Sequence, residues 1–176
     1  KHPLRLAEEL ATIDLISRGR LISGWVRGAG SEQFFNNANP AYNREMFEEA
    51  HDFIIQAWTR PGPWRYEGKH FPSRHVNPWA LPCQKPHPPI FGATSSESGH
   101  YEVGKAGIGL CSFTVGVPPE ELIPRIENYR RGQADCTEPL GAFRNEQVAT
   151  FTMVLCAPTD DEADAAAEES FTWYPA

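Results

Sequence analysis

Arg27 stands between an apolar run, Leu21-Ile-Ser-Gly-Trp-Val26, and a run of small residues, Gly28-Ala29-Gly30. A guanidinium beside backbone that a ligand can approach closely suits a phosphate-bearing molecule. Two other groups repeat that chemistry. Arg44 falls in the first turns of the next expected helix, and Thr94-Ser95-Ser96 follows the apolar run Ile90–Ala93 and leads into another helix. A helix N-terminus presents unpaired N–H groups and the positive end of its dipole, and serine hydroxyls add donors. Each arginine hydrogen bond to an anion contributes about 1.5–3 kcal/mol. The alternatives are plain ones. Arg27 is then a surface arginine after a buried strand, Arg44 an ion-pair partner of Glu48, and Ser95 or Ser96 only a helix cap.

These groups meet only if the elements that carry them are parallel. Leu21–Val26 reads as a strand covered on both faces. Before it, Pro3 and Leu4–Ser17 form an amphipathic helix with Leu6, Leu10 and Ile13 at helical spacing and Gly19 as C-cap. After it, Asn39 caps a helix with Pro40 at its first position; Met46, Phe47, Ala50, Phe53, Ile54 and Ala57 are its apolar stripe, and Pro61-Gly62-Pro63 stops it. Trp64–Pro89 is a proline-dense excursion that begins with a small hairpin turning at Gly68. Its Trp64, Tyr66, Phe71 and Trp79 are too apolar for a solvated linker, which predicts a lid or binding wall. Strand Ile90–Ala93, a helix through Ala106 closed by Gly107, and strand Ile108–Phe113 follow. Pro118-Pro119 opens a helix with Leu122, Ile126 and Tyr129 on one face, Gln147–Ala157 is a strong strand, and Pro158–Asp161 caps an acidic, alanine-rich helix. Strict alternation predicts parallel strands with right-handed crossovers, in a doubly wound sheet or part of a β/α barrel. Both architectures bind ligands at the carboxyl ends of the strands, the rim that holds Arg27, Arg44 and Thr94–Ser96.

The 176 residues suffice for one well-buried domain, and the net charge of −7 argues against a nucleic-acid binder. No apolar run reaches transmembrane length. Cys83, Cys111, Cys136 and Cys156 are scattered, which predicts reduced thiols in a cytosolic protein rather than a disulfide frame or zinc site. His70, His75, His87 and His100 lack metal-ligand spacing and read as solvated loop histidines, and Glu8-Glu9 and Glu48-Glu49 as solvated helix faces. Glycine-rich dinucleotide, P-loop and nucleophile-elbow patterns are absent, and so is a proton-transfer dyad. The chain starts at Lys1 before a helix and stops at Ala176 after another, as expected of an internal piece of a longer protein.

Five segments in order carry a resemblance: His2-Pro-Leu-Arg-Leu-Ala-Glu-Glu-Leu-Ala-Thr-Ile-Asp14 with Ser17-Arg-Gly-Arg-Leu21, Val26-Arg-Gly28, Arg44-Glu-Met-Phe-Glu-Glu-Ala50, Tyr66-Glu-Gly-Lys-His-Phe71, and Gln84-Lys-Pro-His-Pro-Pro-Ile90. Together they resemble the bacterial luciferase-like flavin-dependent monooxygenases over essentially the whole chain. The resemblance implies an α/β fold, a (β/α)8 TIM barrel present as a fragment of about strands 4 to 7. Residues 1–176 are then a partial barrel domain lacking the N-terminal strands and the last strand, inactive by itself. It implies reduced FMN at the carboxyl rim. Arg27 and Arg44 would hold the phosphate, Ala93, Ser95 and Ser96 would add backbone or hydroxyl contacts, Gly28 and Ala29 would lie beside it, and Val26 would lie beneath the flavin ring. Luciferase has a cysteine where this chain has Val26, a glutamate at Ser95 and a threonine at Gly99.

The family's catalytic histidine belongs to the second strand, outside this chain. The implied activity is monooxygenation of an apolar organic substrate by O2, with FMNH2 supplied by a separate flavin reductase. The implied protein is cytoplasmic, a homo- or heterodimer at full length, with no metal, membrane or nucleic acid. The Trp64–Pro89 excursion would form part of its apolar substrate wall. An F420-dependent hydride-transfer oxidoreductase and a non-catalytic flavin-binding relative are the alternatives on the same barrel.

Overall fold

Helices and strands alternate along the computed structural model, which describes residues 1–173 except 29, 36, 37, 116 and 152. The strands are β1 (Ser23–Trp25), β2 (Trp64–Tyr66), β3 (Ser73–Val76), β4 (Ile90–Thr94), β5 (Gly109–Phe113) and β6 (Val148–Phe151). The helices are α1 (Pro3–Ser17), α2 (Gly30–Phe35), α3 (Asn43–Thr59), α4 (Glu97–Lys105), α5 (Pro119–Asp135) and α6 (Asp160–Trp173). One sheet runs β1-β4-β5-β6, parallel throughout. Trp25 pairs with Gly92, Thr94 with Ser112 and Phe113 with Phe151, so the carboxyl ends share one rim.

Local chemistry sets the helix ends. His2 Nδ1 accepts the Leu4 N–H at 3.2 Å and Pro3 follows it in the first turn of α1. That helix ends in two left-handed residues, Arg18 (φ 57°) and Gly19 (φ 76°), so the cap expected at Gly19 begins one residue earlier. Asn39 accepts the Ala41 N–H at 3.0 Å as expected, but it caps a 3-10 turn, Pro40–Tyr42, that runs into α3. The short helix α2 lies where only a small-residue approach was expected.

The core fills the space between α1, α3 and the sheet. Ala7, Ala11, Phe53, Ala57, Trp58, Ile90 and Val76 are buried there, and Trp58 Nε1 donates to the Ala7 carbonyl at 2.9 Å. Burial corrects the expected two-sided strand at Leu21–Val26. Only Ser23–Trp25 is strand; Trp25 packs on His51 and Trp58 of α3, while Ile22 and Val26 on the opposite face are 62% and 63% exposed. The strong strand expected over Gln147–Ala157 shrinks likewise to Val148–Phe151. Among the described residues it is the sheet's edge, hydrogen-bonded to β5 alone, and exposed along its length.

The Trp64–Pro89 excursion docks on the helices. β2 and β3 pair antiparallel, with the turn spanning residues 67–72 rather than closing at Gly68. Glu49 accepts the N–H groups of His70 and Phe71 at 3.0 and 2.8 Å, and a Cβ at Gly68 would overlap its carboxylate. Glu49 is therefore a turn anchor, not part of a solvated face. The buried Asp14 carboxylate takes both the backbone N–H and the side-chain amide of Gln84, at 2.8 and 2.7 Å. His87 and His100 are buried, not solvated as expected; His87 Nε2 accepts the Ala142 N–H at 2.9 Å, and burial pushes its pKa below the usual histidine value. The four cysteines are free, and no helix among the described residues is long and apolar enough to cross a membrane.

Candidate functional site

A cleft of about 860 Å³ opens at the carboxyl ends of β1 and β4. It gathers Val26, Arg27 and Gly28 from the end of β1, Arg44 from the first turn of α3, and Ala93, Ser95 and Ser96 from the end of β4 and the start of α4. Those are all the expected site positions but one; Ala29 lies outside the described residues. Gly28 adopts φ +80°, so glycine is favoured there by backbone conformation, while the one close neighbour of an added Cβ is the movable carboxylate of Glu32 at 2.9 Å.

Both arginines line the cleft. Among the described residues neither Arg27 nor Arg44 enters an ion pair, and Arg44 does not pair with Glu48 as the plain alternative had it. Ser96 is the cap of α4, its Oγ accepting the Gly99 N–H at 3.1 Å. The capping reading thus holds without removing Ser96 from the cleft, since its hydroxyl proton stays free to donate. Thr94 also lines the cleft, and its Oγ1 occupies the space a Cβ at Gly99 would need. A hydroxyl rooted on β4 thus stands where a side chain at 99 would begin.

The cleft is also lined by Trp25, Phe47 and His51, an aromatic group not anticipated as part of the site. Its signal was the helical spacing of Arg44, Phe47 and His51, which puts all three on one face of α3. The His51 ring sits 3.9 Å from Phe47 and 4.2 Å from Trp25, centroid to centroid, and its buried Nε2 has no hydrogen-bond partner among the described residues. Desolvation pushes its pKa down to about 3. The folded state therefore binds fewer protons here than the unfolded chain, whose histidines titrate near 6.5. The resulting stability is present above about pH 6.5 and is lost as pH falls toward 3. Urea titrations should show a slope on the order of 1 kcal/mol per pH unit over that window, reduced in His51→Phe. An unchanged slope in the variant would place the proton uptake elsewhere. None of the excursion's residues line this cleft.

A family model described as luciferase-like monooxygenase matches residues 1–176. The chain belongs to the luciferase-like monooxygenase family. Among curated proteins, y4wF of Sinorhizobium fredii, itself uncharacterized, is 31% identical over 134 residues, 75% of this chain and 37% of its own. Among solved structures, the monooxygenase RslO1 of Streptomyces bottropensis is 25% identical at a TM-score of 0.78, over 98% of this chain and 53% of its own. The oxygenating constituent of 3,6-diketocamphane monooxygenase from Pseudomonas putida, solved with FMN, shares the fold at 20% identity and TM-score 0.77, over 96% and 49% of the two chains. An F420-dependent secondary alcohol dehydrogenase, solved with an F420–acetone adduct, shares it at 18% and 0.69, over 94% and 49%. This luciferase-like chain spans about half the length of those solved relatives, and its four parallel strands are a fragment of their barrel.

Proposed function

We propose that this luciferase-like chain holds the phosphate end of reduced FMN in a flavin-dependent monooxygenase that uses O2 on an apolar organic substrate. The supporting observation is the pair of arginines, outside any ion pair among the described residues, in one cleft with the first turn of α4. Two guanidinium groups, the Ser95 and Ser96 hydroxyls and the helix N-terminus make a donor set with the charge and number a phosphate monoester asks for. Arg27 and Arg44 hold the dianion, the Ser95–Ser96 turn fixes its orientation, and Val26, on the open face of β1, borders the ring system. Bound reduced flavin supplies the electrons that activate oxygen; the protein's part is to position it and exclude water.

Residues 1–176 form part of one barrel domain in this reading, and the flavin arrives from a separate reductase. An F420-dependent hydride transfer stands second, because the same donors suit any phosphate-bearing cofactor and one structural neighbour is F420-dependent. Oxygen uptake by the complete protein, fed FMNH2 in a panel of apolar ketones and aldehydes, is the expected activity. Reduction or oxidation of F420 without oxygen uptake would overturn it in favour of the second reading.

A further inference from the structure

The turn that opens α4 is braced from behind. The Ser95 carbonyl accepts a hydrogen bond from the Arg125 guanidinium on α5 at 2.8 Å. The Ser96 carbonyl, which accepts the His100 backbone N–H at 3.2 Å, takes a second, shorter bond from His100 Nδ1 at 2.7 Å, and the other ring nitrogen of His100 meets Ser112 Oγ on β5 at 2.8 Å. A backbone carbonyl only accepts, so Nδ1 carries the proton and the Ser112 hydroxyl is placed to donate to Nε2. His100 and Ser112 are fully buried, and neither lines the cleft.

Peptide geometry turns these braces into an orientation. In a trans peptide the C=O of one residue and the N–H of the next point in opposite directions. Tying the Ser95 carbonyl to Arg125 therefore aims the Ser96 N–H away from α5. Tying the Ser96 carbonyl to His100 does the same for the Glu97 N–H. The two carbonyls, which would repel an anion, are held back, and donors are left toward the site. Ordering them beforehand removes a cost that binding would otherwise bear.

We propose that His100 is a positioning residue for the anion site, a buried strut from β5 to the Ser95–Ser96 turn that presents this turn to the cofactor's phosphate. The inference rests on the phosphate reading of the cleft. It specifies which ligand atoms feel His100: the phosphate oxygens and not the ring system.

FMN and riboflavin differ only in the phosphate, so the ratio of their affinities for the complete protein is the readout. In the wild type FMN binds much more tightly. In His100→Phe, which fills the space but makes neither hydrogen bond, the ratio falls roughly tenfold while riboflavin affinity stays put. In His100→Asn, whose amide N–H can still reach the Ser96 carbonyl, most of the ratio returns. Ser112→Ala, which removes only the strut's foot, gives a smaller loss in the same direction and serves if His100→Phe fails to fold. An unchanged ratio in folded His100→Phe, or in Ser112→Ala where that variant stands in, overturns the inference. Equal loss of both ligands also overturns it, as general damage to the site. A wild-type ratio near one overturns the phosphate reading itself, and the inference with it.

Discussion

Replacing Arg27 or Arg44 with alanine in the complete protein is expected to weaken FMN binding at least tenfold. Each loses a charge-assisted hydrogen bond of about 1.5–3 kcal/mol that the remaining arginine of the pair replaces only in part. Lysine at either position keeps the charge but not the planar fork, so it should recover only part of the loss. The double variant makes the test sharper. Arg27 comes from the end of β1 and Arg44 from α3, so they share no covalent neighbourhood. If both grip one dianion their losses will not add, whereas independent surface arginines would give additive and small effects. Unchanged flavin affinity in both single variants, measured by calorimetry, would remove them from the site.

An alanine at Gly104 or Gly132 is expected to destabilise the fold by about 3 kcal/mol or more, at the upper end of overpacking effects. α4 and α5 cross with their backbones in contact at these two residues. A Cβ at Gly104 would overlap the Tyr129 carbonyl oxygen and stand 2.9 Å from the Gln133 nitrogen. One at Gly132 would overlap the Tyr101 carbonyl oxygen and stand 2.8 Å from the Lys105 nitrogen. Backbone cannot rotate away as a side chain can, so the helices must part. Parting them disrupts the buried Tyr129 hydroxyl, which donates toward the Ile108 and Asn145 carbonyls at 3.0 and 3.1 Å.

The sign of the effect is diagnostic. Helix propensity alone favours alanine over glycine by about 1 kcal/mol, so a stabilised variant in urea denaturation would show that the helices do not touch there. The damage should also reach the cleft. Arg125 rides on α5 and holds the Ser95 carbonyl, so any Gly132→Ala protein that folds should bind FMN more weakly than its stability loss alone explains.

The rim was legible because its signals are local. An apolar run that ends on Arg27, the pair Asn39-Pro40 ahead of the helix that carries Arg44, and Ser-Ser before a helix each state their role within a few residues. Parallel alternation then forces their carboxyl ends together, and the cleft gathers Arg27, Arg44, Ala93, Ser95 and Ser96 accordingly. What was misread depended on partners far along the chain. His100 looked like a loop histidine because Ser112, the group that buries its Nε2, lies on another strand. Glu49 looked solvated because the turn it anchors lies about twenty residues on. The Leu21–Val26 run promised cover on two faces, yet the sheet's first strand has α3 on one face only, and the other is open.

The sequence by itself determined the alternation of the main helices with the parallel strands and the capping role of Ser96, since these follow from backbone chemistry within a turn or two. Tertiary structure alone decided that Arg27 and Arg44 share a cleft outside any ion pair among the described residues, that the proline-rich excursion is tied to α3 and α1, and that His100 stands behind the Ser95–Ser96 turn. Those outcomes are set by hydrogen bonds and burial between residues distant in the chain. No local pattern encodes them, because a side chain's role there depends on what the fold brings against it.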